Sequence, residues 1–171
     1  FMFQENENFN QDISSWDVLN VENMKAMFLG AKNFNQDISS WDVSNVENMS
    51  FMFFGAKNFN QDISSWDVSN VENMKAMFSK AKNFNQPLSL WGSKLGNVKD
   101  MSFMFQENEN FNQDISSWDV LNVENMKAMF LGAKNFNQDI SSWEVKTGVK
   151  HNDFWTGSTA ESNGNQQPKW K

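Results

Sequence analysis

Phe9-Asn10-Gln11-Asp12-Ile13-Ser14-Ser15-Trp16-Asp17-Val18 opens a unit that returns along almost the whole chain. Phe-Asn-Gln starts at Phe9, Phe34, Phe59, Phe84, Phe111 and Phe136, with spacings of 25, 25, 25, 27 and 25 residues. A fixed period in this range marks a repeat architecture. One unit is too small to bury its own apolar face, so neighbours must stack. The expected fold is therefore a repeat solenoid with one coil per unit.

Three parts are expected: residues 1–8 as the end of a truncated preceding repeat, 9–145 as the solenoid, and 146–171 as a C-terminal cap and polar tail. Residues 1–41 are identical to 103–143, an offset of four units, which points to duplication of a four-unit block. The aberrant fourth unit would then recur every fourth coil in a longer parent chain. Phe1-Met2-Phe3 matches the end of a repeat at Phe103-Met104-Phe105. The sequence thus reads as a fragment or a processed chain, and an N-terminal signal would have been lost with what preceded it.

Two periods are legible inside the unit. Ile13 to Val18 is short, β-branched and aromatic, and predicts a strand. Val21, Met24, Met27, Phe28 and Ala31 fall at helical spacing. Asn20 suits the N-cap of that turn, Glu22 its first turn, and Gly30 its end. Each 25-residue coil is thus expected to hold a short parallel strand, a short helix or 3₁₀ turn, and a polar return turn at Lys32 to Gln36. Stacked strands would lie about 4.8 Å apart in one parallel sheet.

The expected inward set is Ile13, Trp16, Val18, Val21, Met24, Met27, Phe28, Ala31 and Phe34, with their copies. Burying side chains of this size stabilises by about 1.5–3 kcal/mol each. The Trp ladder (Trp16, Trp41, Trp66, Trp91, Trp118, Trp143) reads as core packing, with a glycan-stacking stripe as the other reading.

Composition narrows the function classes. The 171 residues carry 17 Phe, 8 Trp and no Tyr, with a net charge of −7 and 14 basic residues. That balance argues against a nucleic-acid partner, which wants a basic face. Without cysteine there is no disulfide, thiolate zinc site or thiol nucleophile. The longest apolar runs, such as Phe51 to Phe54, are far too short to span a membrane.

Catalysis finds no foothold. His151 is the one histidine and falls where the repeat fades, and no phosphate-cradling glycine loop is present. Paired carboxylates recur in nearly every coil, whereas a catalytic site is a single place. The chain is expected not to be an enzyme and to need no cofactor.

The carboxylates form two rows. Asp17, Asp42, Asp67, Asp119 and Glu144 share one position, and Asp12, Asp37, Asp62, Asp114 and Asp139 another. Like charges about 5 Å apart repel, so they either accept backbone N–H bonds in their own coil or attract cations. Oxygen-only ligands suit Ca²⁺, which makes the first row a candidate for weak, multi-site Ca²⁺ binding. With Ser15, Ser40, Ser65 and Ser117, the residues Asp17, Asp42, Asp67 and Asp119 form the candidate interaction surface. A hydroxyl ladder also raises ice binding, but such surfaces favour Thr and avoid charge. Asn33, Asn35, Gln36 and their copies are expected to satisfy backbone groups of their own and the next coil.

The spacing Ile13, Trp16, Val18, followed by a helical set ending in Met-Phe and a small residue, resembles the leucine-rich repeat. It looks most like the bacterial surface-protein branch, the BspA-like repeats and the related 26-residue surface-protein repeat. The resemblance covers about residues 1–155 and departs in the fourth unit and the tail. It implies a leucine-rich-repeat-like solenoid and an extracellular or cell-surface protein that works in adhesion. The expected partner is a protein or glycan ligand, or a second copy. The alternative is a structural filament or sheath component made by end-to-end stacking.

The fourth unit carries Pro87 for Asp, Leu90 for Ser, and two extra residues around Gly92-Ser93-Lys94-Leu95-Gly96. Trp91, Val98, Met101 and Met104 keep their places. The core should therefore pass through while the surface bulges, either as drift in a loop or as a shape made for a partner or for bending the stack. After Val145 the pattern fades, with Val149 and Phe154 as the last core-like residues before a polar, Pro168-containing tail.

Overall fold

The computed structural model describes residues 2–163 and 167–171. Phe1 and residues 164–166, part of the expected truncated repeat and polar tail, lie outside the described residues. Successive units lie directly on one another. Between residues 22 and 30 the pairing is made by backbone. The amides of Met24, Ala26, Phe28 and Gly30 donate to the carbonyls of Asn48, Ser50, Met52 and Phe54 at 2.7–2.9 Å. The same bonds recur in each coil down to Met126, Ala128, Phe130 and Gly132, which donate to Lys150, Asn152, Phe154 and Thr156.

The amides between these donors turn back on their own coil. Met27 donates to the Met24 carbonyl and Ala31 to that of Phe28. Every backbone donor from Met24 to Ala31 is thus satisfied, as a segment against a core requires. Such tight turning needs left-handed residues. Ala26 and Gly30 have φ of 53° and 72°, and their counterparts repeat this at Phe51, Gly55, Ala76, Lys80, Phe103, Glu107, Ala128 and Gly132.

The elements within the coil differ from those expected. No α-helix forms over Val21 to Ala31, because the left-handed residue at Ala26 and its copies interrupts helical hydrogen bonding. Apolar spacing of three and four is met instead by consecutive turns, whose Met, Phe and Ala side chains still point inward. The expected strand at Ile13 to Val18 is replaced by turns, with Trp16 donating to the Ile13 carbonyl and Val21 to that of Val18. The Ser14 amide is taken by the Asp12 carboxylate at 2.9 Å. Short polar side chains that bond nearby amides compete with strand pairing in this way. The parallel bridges fall one segment later, at Asn23–Asn48, Asn48–Asn73, Asn73–Asp100, Asp100–Asn125 and Asn125–Lys150.

The core is a ladder of rings. Phe28 stacks on Phe34, which opens the next coil, at 3.9 Å and on its own counterpart Phe53 at 5.6 Å. The series continues through Phe78, Phe105 and Phe130 at 5.5–5.7 Å. Trp41, Trp66, Trp91, Trp118 and Trp143 are buried. Trp16 is not: it is 38% exposed, and Val21 and Met27 are only partly buried. Among the described residues, 2–8 cover the first coil on that side and leave these members of the expected core half covered.

The fourth coil absorbs its two extra residues in a 3₁₀ helix, Ser89–Lys94, which buries Trp91 and Gly92. Leu95 takes the core place of Val68 and Val120 and is fully buried. A side chain at Gly92 would meet the Ser117 carbonyl oxygen at 2.7 Å, so the close approach of the fifth coil requires glycine. At the other end the Met–Phe half of the coil persists beyond Val145, through Phe154 to Thr156. A short α-helix, Thr159–Ser162, then folds back, and the Ala160 amide donates to the Phe136 carbonyl at 2.9 Å. His151 is exposed and stacks on Trp170 at 4.2 Å.

Candidate interaction surface

Where the first half of the coil lacks backbone pairing, side chains join the coils. The Asn35, Asn60, Asn85, Asn112 and Asn137 amides each donate to the Oδ1 of the equivalent Asn in the preceding coil, at 2.9 Å. The following Gln reaches back to that Asn's carbonyl, as Gln36 does to Asn10 at 3.0 Å. Asn45, Asn70, Asn97 and Asn122 donate to carbonyls one coil back at 2.7–2.8 Å. Helix capping had been the expectation for this last position. With no helix to cap, the amide is free to bridge coils.

The serines of the surface are exposed, yet their hydroxyls also tie the stack. Ser40, Ser65 and Ser117 donate to the carbonyls of Ser14, Ser39 and Ser89. Between coils three and five the row passes Leu90, which is 64% exposed.

The two acidic rows are exposed, and most of their members bond within their own coil. Asp17, Asp42, Asp67 and Asp119 each accept the amide two residues on, at Leu19, Ser44, Ser69 and Leu121, at 3.1–3.2 Å. Asp12, Asp37, Asp62, Asp114 and Asp139 do the same with Ser14, Ser39, Ser64, Ser116 and Ser141 at 2.9 Å. For six of these carboxylates the bonds favour the ionised form. The Ser14, Ser39 and Ser116 amides hold Asp12, Asp37 and Asp114 below the usual carboxylate range, with the same serines' hydroxyls assisting. For Asp42, Asp67 and Asp139 the hydroxyls of Ser44, Ser69 and Ser141 are the larger cause.

The Ca²⁺ candidates Asp17, Asp42, Asp67, Asp119 and Glu144 come one per coil. Among the described residues no three metal-ligating side chains gather into a group that could hold a metal ion. The arrangement is chemically simple: a regular array of carboxylates and hydroxyls on one coil pitch. Both rows break at the fourth coil, where Pro87 and Lys94 stand in the acidic places.

Other surface features lie outside the expected sites. Lys75 Nζ sits 5.8 Å from the Phe51 ring centre and 6.0 Å from that of Phe103. Lys127 lies 5.9 Å from Phe103. Glu109 bonds Lys82 at 2.8 Å and reaches Lys134 at 3.6 Å. Reading charge separately for each half of the coil would have exposed these pairs in the sequence.

No helix among the described residues is long and apolar enough to cross a membrane. No curated protein and no solved structure matches the chain. A family described as "Mycoplasma protein of unknown function, DUF285" matches residues 1–95 and again 65–170. Together the two matches take in nearly every coil and the cap, and on that ground the chain belongs to the DUF285 family.

Proposed function

We propose that this chain is a non-enzymatic module of a cell-surface or secreted protein. In this reading it is a leucine-rich-repeat-like solenoid of the BspA-like, bacterial surface-protein kind. It presents its Asp and Ser rows to a protein or glycan ligand. The observation that supports this reading is the outward Ser–Asp pair repeated on successive coils at fixed pitch. Each of these carboxylates is held in place by the amide two residues on, and the Ser44 and Ser69 hydroxyls hold Asp42 and Asp67 below the usual carboxylate range, so the face keeps its shape. Repetition favours many weak contacts that add up through effective concentration.

The test is an array of matrix proteins and glycans probed with the full chain and with D17N/D42N/D67N/D119N. Asparagine accepts the same amide bonds, so the variant loses charge and keeps the turns. A ligand held by the parent and released by the variant supports the reading. A ligand held equally by both removes this face from it.

A second reading, a filament or sheath component made by end-to-end stacking, is favoured by the four-unit duplication that makes residues 1–41 identical to 103–143. Light scattering that shows no growth in particle length with concentration overturns it.

A further inference from the structure

The charges of this chain are sorted by half-coil. In the first, second, third and fifth coils the half from Phe-Asn-Gln to the Glu at position 22, 47, 72 or 124 carries three acidic residues and no lysine. The remaining half of those coils carries lysine and no acidic residue. The fourth coil is reversed. Its first half has Lys94 and Lys99 and no acid, and its second half has Asp100, Glu107 and Glu109 and no lysine.

The halves face apart, with the rings of Phe28 and Trp41 packed between them at 6.2 Å. In the second half the reversal is partly neutralised inside the chain, since Glu107 meets Lys80 at 3.7 Å and Glu109 meets Lys82 and Lys134. These pairs remain open to water, with side chains 39–69% exposed. In the first half it is neutralised less: Lys94 attracts the Asp67 carboxylate without pairing with it. Lys94 donates to the Trp66 carbonyl at 3.3 Å, and neither Lys94 nor Lys99 forms an ion pair among the described residues.

We propose that the chain associates side by side with a second copy, the acidic face of one against the lysine face of the other, fourth coil opposite fourth coil. In that register every repeat coil from the first to the fifth meets the opposite sign. A slip of one coil sets Lys94 and Lys99 against lysines, and Glu107 and Glu109 against acids. Like charges placed opposite each other reject wrong registers. Both faces ride on the same coil pitch, so the match does not drift along the stack. Each copy keeps one face unused, which makes the contact heterologous and able to grow into sheets of parallel rods. The inference does not depend on the adhesion reading.

The experiment is sedimentation velocity of the full chain over a concentration series, at about 0.02 M and about 0.5 M salt, where screening lengths differ several-fold. Mass should rise with concentration at low salt and fall back at high salt. K94E/K99E alone and E107K/E109K alone should each associate at least tenfold more weakly than the parent. An equimolar mixture of the two should recover association, because each contact then has opposite signs at the fourth coil. K94E/K99E breaks no ion pair among the described residues, so it still tests the inference should E107K/E109K fold poorly. A monomeric parent at low salt overturns the inference, as do reversals without effect or a mixture no better than its components. End-to-end stacking is insensitive to these reversals and is separated by the same data.

Discussion

The indole Nε1 of Trp66 donates to the carbonyl oxygen of Ile38 in the preceding coil at 3.1 Å, inside the core. The same bond joins Trp41 to Ile13, Trp91 to Ile63, Trp118 to Leu88 and Trp143 to Ile115. Tryptophan therefore serves as more than bulk. It supplies the donor that a leucine at this position lacks, on the side of the coil where backbone pairing is sparse.

Trp66→Phe removes that donor and leaves the Ile38 carbonyl without it. That carbonyl keeps the Trp41 amide at 3.1 Å, so the loss is that of one hydrogen bond, about 0.5–1.5 kcal/mol, and lost ring volume adds to this. Trp16→Phe should cost clearly less, since Trp16 is 38% exposed. Urea denaturation of both variants measures the difference. Equal costs would show that the hydrogen bond contributes nothing.

The left-handed positions separate backbone strain from packing. A Cβ at Gly55 would find nothing nearer than 3.9 Å, yet φ is 68° there. Gly55→Ala should destabilise by about 1 kcal/mol from backbone conformation alone. Lys80 holds the equivalent place at φ 59°, and its ion pair with Glu107 is exposed and long, hence weak. Lys80→Gly should raise the melting temperature. A fall in that variant would mean the lysine contributes more than its backbone strain costs.

Asn108 occupies a place held by Ala31, Ala56, Ala81 and Ala133 in other coils and is fully buried. Its Oδ1 accepts the Asn110 and Phe111 amides, but its Nδ2 has no partner. Asn108→Ala removes the unpaired donor, and the Phe111 amide can then use the residue 108 carbonyl, as Phe34 uses that of Ala31. The variant should be more stable by about 1 kcal/mol. Calorimetry showing a loss would mean the two accepted amide bonds outweigh the unpaired one.

Stability should fall in acid. Asp12, Asp37, Asp42, Asp114 and Asp139 all have folded pKa values below the ordinary 3.8. A depressed carboxylate contributes stability that is present above the unfolded pKa and is lost as pH falls through the folded one. Melting temperature should hold from neutral pH to about 5 and decline below about 4. Asp37→Asn keeps the turn and deletes one titration, so it should flatten the decline slightly. A decline that begins near pH 6 would point to other groups.

Much of the core was legible in the repeat. Ile38, Trp41, Val43, Val46, Met49, Met52, Phe53, Ala56 and Phe59 are the second-coil copies of the expected inward set, and all are buried. Their period survives any local backbone that brings them to one side. What the period does not encode is the backbone itself. Spacing of three and four serves a helix and a run of turns equally well, and Ala26 and Phe51 carry no sign of a positive φ. The carboxylate rows were legible as rows. Their hydrogen-bond partners, two residues along, followed from the turns that replaced the strand.

By itself the sequence determines the period, the stacking of like on like, the identity of the core ladder and the place where the pattern breaks. These depend on which residues recur, and identical units in contact must make identical contacts. Tertiary structure decides how each coil closes: backbone bonds on the Met–Phe side, and Trp, Asn and Gln side chains on the other. It also decides that Trp16 is half open while its copies are buried. Those outcomes depend on the neighbouring coil, which supplies the carbonyls and the cover that no single unit carries.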